Sequence, residues 1–186
     1  SVFFFIAGFT FASWASRIPH IQAKLHLNEA ALGSVLLALP CGLLVSSLIA
    51  GALISRFGSK RILLTAACMY STIIVTLGLA SATYQLVIGL FFFGMAGNMF
   101  NVSVNTQAVA VERLYGRSIL ASFHGIWSLA GFSGASVGTL MIALGLLPWQ
   151  HFLVIGCIGL TLTSLFMSRI IAQSSNQHKQ SGFALP

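Results

Sequence analysis

Residues 62–111 and 118–168 contain no charged side chain, and each run is about fifty residues long. Two shorter runs, 1–16 and 30–55, are equally free of charge. A surface in water cannot be built from such segments, since a soluble domain carries roughly 25% charged residues. Here charged residues make up 6% of the chain and hydrophobic residues 57%. The sequence therefore predicts an all-α integral membrane protein with the lipid bilayer as its surroundings. A net charge of +7 would suggest nucleic acid in a soluble chain, but here it marks one face of a membrane and no nucleic-acid partner is expected.

A spanning helix needs roughly 20 apolar residues. The run 30–55 predicts one helix near 31–54. The run 62–111 is too long for one and breaks at Ser81-Ala82-Thr83-Tyr84-Gln85, predicting helices near 62–81 and 85–108. The last run breaks at Leu147-Pro148-Trp149-Gln150-His151, predicting helices near 119–146 and 152–170, with Pro148 as a stop or start. The first run reaches only roughly 24 Å at about 1.5 Å per residue, short of the hydrocarbon core. It lacks an initiating Met. It is expected to be a first helix clipped at its N-terminus, which makes six. Residues 1–171 form the predicted bundle, and the polar residues 172–186 read as a linker.

The cations orient the bundle. Arg56, Lys60, Arg61, Arg113, Arg117, Arg169 and Lys179 fall on one side of a six-helix trace, and Arg17 and Lys24 on the other. The positive-inside rule puts the seven in the cytoplasm. Asn28 is expected to cap the second helix, with Glu29 complementing its dipole. Trp14 reads as an interfacial anchor and Arg17 as a headgroup contact. Cys41, Cys68 and Cys157 lie inside apolar runs and read as small buried side chains. No His/Cys cluster has metal-ligand spacing, so neither a metal nor a cofactor is expected.

The stretch GALISRFGSKR, Gly51 to Arg61, gathers three of the nine cations around two glycines. Gly51 suits close helix approach and Gly58 a tight turn. With Arg56, Lys60 and Arg61, this spacing resembles the signature loop of the major facilitator superfamily, except that Ser55 replaces the family's acid. VERLYGR, Val111 to Arg117, with Glu112, Arg113 and Arg117, resembles the short cytoplasmic loop after the fourth helix of these transporters. ASWASRIP, RFGSKR and residues 98–131 are also similar to the YbjJ-type bacterial inner-membrane permeases. The resemblance implies half of a transporter: two three-helix repeats, a second six-helix half, a gating role for the signature loops, and a central linker from residue 172. It implies movement of a small solute across a bacterial inner membrane by alternating access, with a possible coupling ion.

Polar groups in the middle of a span are costly and so are candidates for the solute site. Asn98, Asn101 and Asn105 share one face of the fourth helix. Their amides suit neutral hydroxylated cargo such as a sugar, or bond to neighbouring helices. His124 could relay a proton or simply pack. Trp127, one turn on, could stack on a sugar ring or pack. No acid lies within a predicted span, Glu29 and Glu112 both being at ends. The arginine that drug–proton antiporters carry in the fourth helix has no counterpart, with Leu90 at the matching position. Gly134 and Gly138 form a small-residue pair for close packing.

Two rival readings remain. GFSGASVG, Gly131 to Gly138, contains the G-x-S-G serine motif of rhomboid proteases, with Ser133 as nucleophile. Such a serine needs a histidine base in reach, and only His151 and His178 follow it. His151 lies at the external start of the next helix, whereas Ser133 is roughly 20 Å along its own helix from that end, so His151 does not easily reach it. The other rival is a channel assembled from identical copies.

Overall fold

The computed structural model describes residues 1–116 and 118–171. Through them run α1 (Val2–Ala15), α2 (Ile18–Lys24), α3 (Glu29–Leu36), α4 (Ala38–Phe57), α5 (Ser59–Leu79), α6 (Thr83–Tyr115), α7 (Leu120–Ala143) and α8 (Pro148–Phe166). Glu29–Phe57, α5, α6, α7 and Pro148–Arg169 are each long and apolar enough to cross a membrane. Counted as one span, the pair α1–α2, bent by 41°, brings the number to six. The tail 172–186 and Arg117 lie outside the described residues.

The breaks have local causes. Pro19 opposes the carbonyl four residues back, that of Ala15, where α1 ends. Pro40 likewise opposes Leu36, and a turn at Leu37 separates α3 from α4. Asn28 caps α3 as expected, its side chain accepting from the Ala31 amide at 2.8 Å. Pro148 proves to be a helix start, and the Gln150 side chain accepts from the Leu147 amide at 2.9 Å.

Spans one, two and three exchange roles with four, five and six in the packing. α1 lies chiefly on α7, and α4 correspondingly on α6; α5 packs on α6, and α8 correspondingly on α1. The contact of α5 with α8 maps onto itself. This is the pattern of two three-helix repeats. In lipid, apolar side chains gain little by leaving one oily surface for another, so helix association rests on close packing of small residues. A Cβ on Gly42 would strike the Phe91 carbonyl, and one on Gly94 the Leu39 carbonyl, which locks α4 to α6. A Cβ on Gly134 would come within 2.5 Å of the Phe9 carbonyl oxygen and one on Gly138 would strike the Ser16 hydroxyl, so the predicted pair does join α7 to α1.

Four expectations need correction. Around Gly51 a Cβ would meet nothing within 4 Å, so this glycine serves no close approach among the described residues. The three cysteines are exposed rather than buried, because an apolar span turns much of its surface toward lipid. Trp14 is buried, with ring centroids 6.4 Å from Phe93 and 6.2 Å from Phe152. Arg17 is 0% exposed and its Nε donates to His151 Nδ1 at 3.1 Å, so it turns into the bundle instead of toward headgroups.

Candidate functional site

The two repeats leave a gap between the α1–α7 pair and the α4–α6 pair. A cavity of about 210 Å³ occupies it, lined from five helices. α6 gives Asn98 and Asn101 over Gly94 and Gly97, α7 gives Trp127, and α5 gives Tyr70. α1 and α4 close the wall with apolar side chains, among them Phe11 and Leu43. The floor is aromatic: Tyr70 stacks on Phe93 with centroids 4.2 Å apart. Gly97 makes that stack possible, since a Cβ there would lie 2.9 Å from the Tyr70 ring edge.

Hydrogen bonds fix which way each amide faces. The Ser47 hydroxyl donates to the Leu43 carbonyl at 2.9 Å, so toward Asn98 it can only accept. Asn98 Nδ2 therefore donates, to Ser47 Oγ at 3.1 Å and to Ser46 Oγ at 3.2 Å. That leaves Asn98 Oδ1 as the atom it offers to the cavity. Asn105 Nδ2 donates to the Asn101 carbonyl at 2.8 Å and to Asn101 Oδ1 at 3.0 Å. Asn101 thus keeps its Nδ2 hydrogens to give. One helix turn presents an acceptor and a donor side by side over an aromatic floor. A hydroxyl group, which both donates and accepts, fits such a pair.

Of the five candidates for solute contact, the structure brings Asn98, Asn101 and Trp127 to one cavity. Asn105 stands behind Asn101 and sets its orientation. His124 is exposed on α7, its ring 5.8 Å from that of Phe4, and it does not line the cavity. Tyr70 was missed in the sequence. Its signal was available: tyrosine favours the membrane interface, and Tyr70 sits in the middle of α5.

The sequence profile of the Major Facilitator Superfamily matches residues 1–185. The chain belongs to this superfamily. It is 30% identical to an uncharacterized MFS-type transporter of Yersinia pestis over 98% of this chain and 48% of that protein. An uncharacterized transporter of Sinorhizobium fredii is 36% identical over 81% of this chain and 40% of its own length. Membrane protein MosC of Rhizobium meliloti is 32% identical over 70% of this chain and 32% of its own. The chain spans about half the length of the Yersinia relative, and less of the other two.

The stretch Gly51–Arg61 that resembles the family's signature loop runs from the end of α4 into α5 through a turn of a single residue. Gly58 carries it at φ 83° and ψ 146°, a conformation close to glycine-only, and its amide donates to the Ile54 carbonyl at 2.8 Å. Ser55 turns its hydroxyl back to the Ala52 carbonyl at 2.9 Å. Arg56 lies 5.3 Å over the Phe57 ring. Lys60 is half-buried in the first turn of α5, and Arg61 beside it is exposed. Gln107 pins this end of the bundle from within: its Nε2 donates to Ser59 Oγ at 2.8 Å and to the Ile171 carbonyl at 2.9 Å, and its Oε1 accepts from the Ile171 amide at 3.1 Å.

The second signature stretch departs from expectation. Val111–Tyr115, read as loop, is the last part of α6, which runs on to a left-handed Gly116 at φ 68°. Long charged side chains at a helix end can reach beyond the apolar layer, so charge does not stop the helix. Glu112 bends over that turn and caps the next helix, accepting from the Ile119 amide at 2.8 Å, the Leu120 amide at 3.0 Å and the Ser118 hydroxyl at 3.3 Å. Arg113 is exposed, and Arg117 falls outside the described residues.

Proposed function

We propose that this chain forms part of a secondary transporter that moves a small, neutral, hydroxylated solute across a bacterial inner membrane by alternating access. The observation that carries the reading is the donor–acceptor pair of Asn101 and Asn98 facing one aromatic-floored cavity. Among the described residues, no side chain lining that cavity is charged, which favours neutral cargo. A ring face on Trp127 or Tyr70 would cover the apolar side of a sugar or polyol. The length of the relatives supports a second six-helix half closing the open side, with residues 172–186 leading toward it. The distribution of cations supports a cytoplasmic Gly58 end. The serine-protease alternative gains no support: the Ser133 hydroxyl donates to the Leu129 carbonyl at 2.9 Å, and His151 Nδ1 is engaged by Arg17.

The test is uptake into proteoliposomes by the protein expressed from its complete native reading frame, against panels of neutral polyols and sugars, organic anions, and amines. Saturable uptake within the neutral panel is expected. Saturable uptake confined to charged solutes would refute the neutral-cargo reading. A second outcome concerns the turn. Gly58→Leu forces a branched side chain into a backbone costing about 1–3 kcal/mol of strain. Turnover is expected to fall with the half-saturation concentration little changed, and an affinity loss at normal turnover would contradict a gating role.

A further inference from the structure

Tyr70 lies in the middle of α5 and is only 4% exposed, yet its hydroxyl takes part in no hydrogen bond among the described residues. A buried tyrosine O–H ordinarily finds a partner. A hydroxyl without one is either sealed in apolar packing or open to a space that water or a ligand fills. The sealed kind exists next door, at Ser71, and again at Ser103 on α6. The Tyr70 hydroxyl is not sealed in this way. The space that Tyr70 lines is the cavity of Asn98 and Asn101.

The ring is held so that its tip reaches the asparagine face. Phe93 stacks on it with centroids 4.2 Å apart, and Phe100 stands edge-on at 6.0 Å. Both neighbours are buried, so the ring has no room to turn aside. Gly97 admits its outer end: a Cβ there would lie 2.9 Å from Tyr70 Cε2 and 3.5 Å from Cζ, the carbon that bears the hydroxyl. Gly97 directly precedes Asn98 and stands one helical turn before Asn101. The phenol therefore meets α6 at the level of the amide pair. A phenylalanine would make the same stack, so packing gives no reason for the oxygen.

We infer that the Tyr70 hydroxyl is a further polar contact for the solute and sets a preference for solutes with two or more hydroxyls over those with one. The amides of Asn98 and Asn101 take one hydroxyl between them. The phenol both donates and accepts, and takes another. A solute without that second hydroxyl leaves the phenol unpartnered in a desolvated site, which is how a site built around hydrogen bonds rejects a deoxy analogue. The preferred class of solute rests on the neutral-cargo reading; the contact with Tyr70 does not.

The experiment compares wild type with Tyr70→Phe, both expressed from the complete native reading frame. Melting in detergent needs no solute and is expected to be unchanged, since the ring and its stack remain. A fall of several degrees would show that the hydroxyl holds the fold together and would overturn the inference. Uptake into proteoliposomes is then measured for the solute that the neutral, anionic and amine panels single out, and for analogues each lacking one polar group. In wild type, one deoxy analogue is expected to raise the half-saturation concentration about ten-fold or more. In Tyr70→Phe the parent solute should be weakened to the same degree, and the difference between parent and that analogue should vanish. A merely structural change does not erase discrimination at one position of the solute. Equal half-saturation in wild type and Tyr70→Phe, or discrimination unchanged at every position, would overturn the inference. If the panels single out a charged solute, the neutral-cargo reading falls and the hydroxyl preference with it, whereas a ten-fold loss in Tyr70→Phe would still keep Tyr70 in the site.

Discussion

Gly94→Leu is expected to unfasten α6 from α4 and to destabilise the bundle by about 3 kcal/mol or more. The reason is that the obstacle is backbone. The added Cβ would fall on the Leu39 carbonyl oxygen, 3.0 Å from its carbon and 3.2 Å from the Leu39 Cα. A side-chain tip could rotate away, but a helix backbone can only move as a body. Gly42 mirrors the contact from α4, where a Cβ would strike the Phe91 carbonyl and sit 3.1 Å from the Met95 amide nitrogen. Moving α4 outward would also stretch the bonds from Asn98 to Ser46 and Ser47, so the cavity would lose its acceptor along with its wall.

Melting in detergent, followed by size-exclusion profile, checks this. A fall of about 6–12 °C corresponds to such a loss in a chain of this size. Gly51→Leu is the control, because a side chain there meets open space among the described residues and should change stability by no more than about 0.5 kcal/mol. Equal melting of wild type and Gly94→Leu would show that α4 and α6 are not held by backbone contact.

These two glycines mark the boundary of what the sequence could tell. Span positions were legible, since charge-free length and the breaks at 81–85 and 147–151 follow from the cost of charge in lipid. Which face of each span turns inward was not. In water an apolar stripe marks the core, but here lipid and core are both apolar, so Cys68 on α5 could face either. Gly51 and Gly94 look alike in sequence, and only the neighbouring helix distinguishes them.

Charge misled in the opposite way. Arg17 at the end of an apolar run reads as a headgroup anchor because that is the usual fate of an arginine there. Its inward turn depends on His151, 134 residues later, which no local pattern pairs with it. Polar residues within spans were better guides. The shared face of Asn98 and Asn101 follows from helical periodicity alone, and the structure adds what periodicity cannot, the orientation of each amide.

That orientation makes Asn101 the sharpest test of the solute site. Asn101→Ala removes the cavity's side-chain donor on α6 while sparing the helix, since alanine is the best helix former. A ligand hydroxyl left without its partner in a desolvated cavity costs about 1–3 kcal/mol. The half-saturation concentration for uptake should therefore rise roughly ten- to a hundred-fold, with melting unchanged. Asn101→Asp separates the donor from the shape. It keeps an oxygen for Asn105 Nδ2 but replaces the donating Nδ2 with another acceptor. If the solute accepts from Asn101, the Asp variant should fail as badly as the Ala variant. If the Asp variant transports while the Ala variant does not, the solute donates at this position and the assigned polarity is reversed. Uptake unchanged in both would remove Asn101 from the site and leave Asn98, fixed by Ser46 and Ser47, as the polar contact of α6.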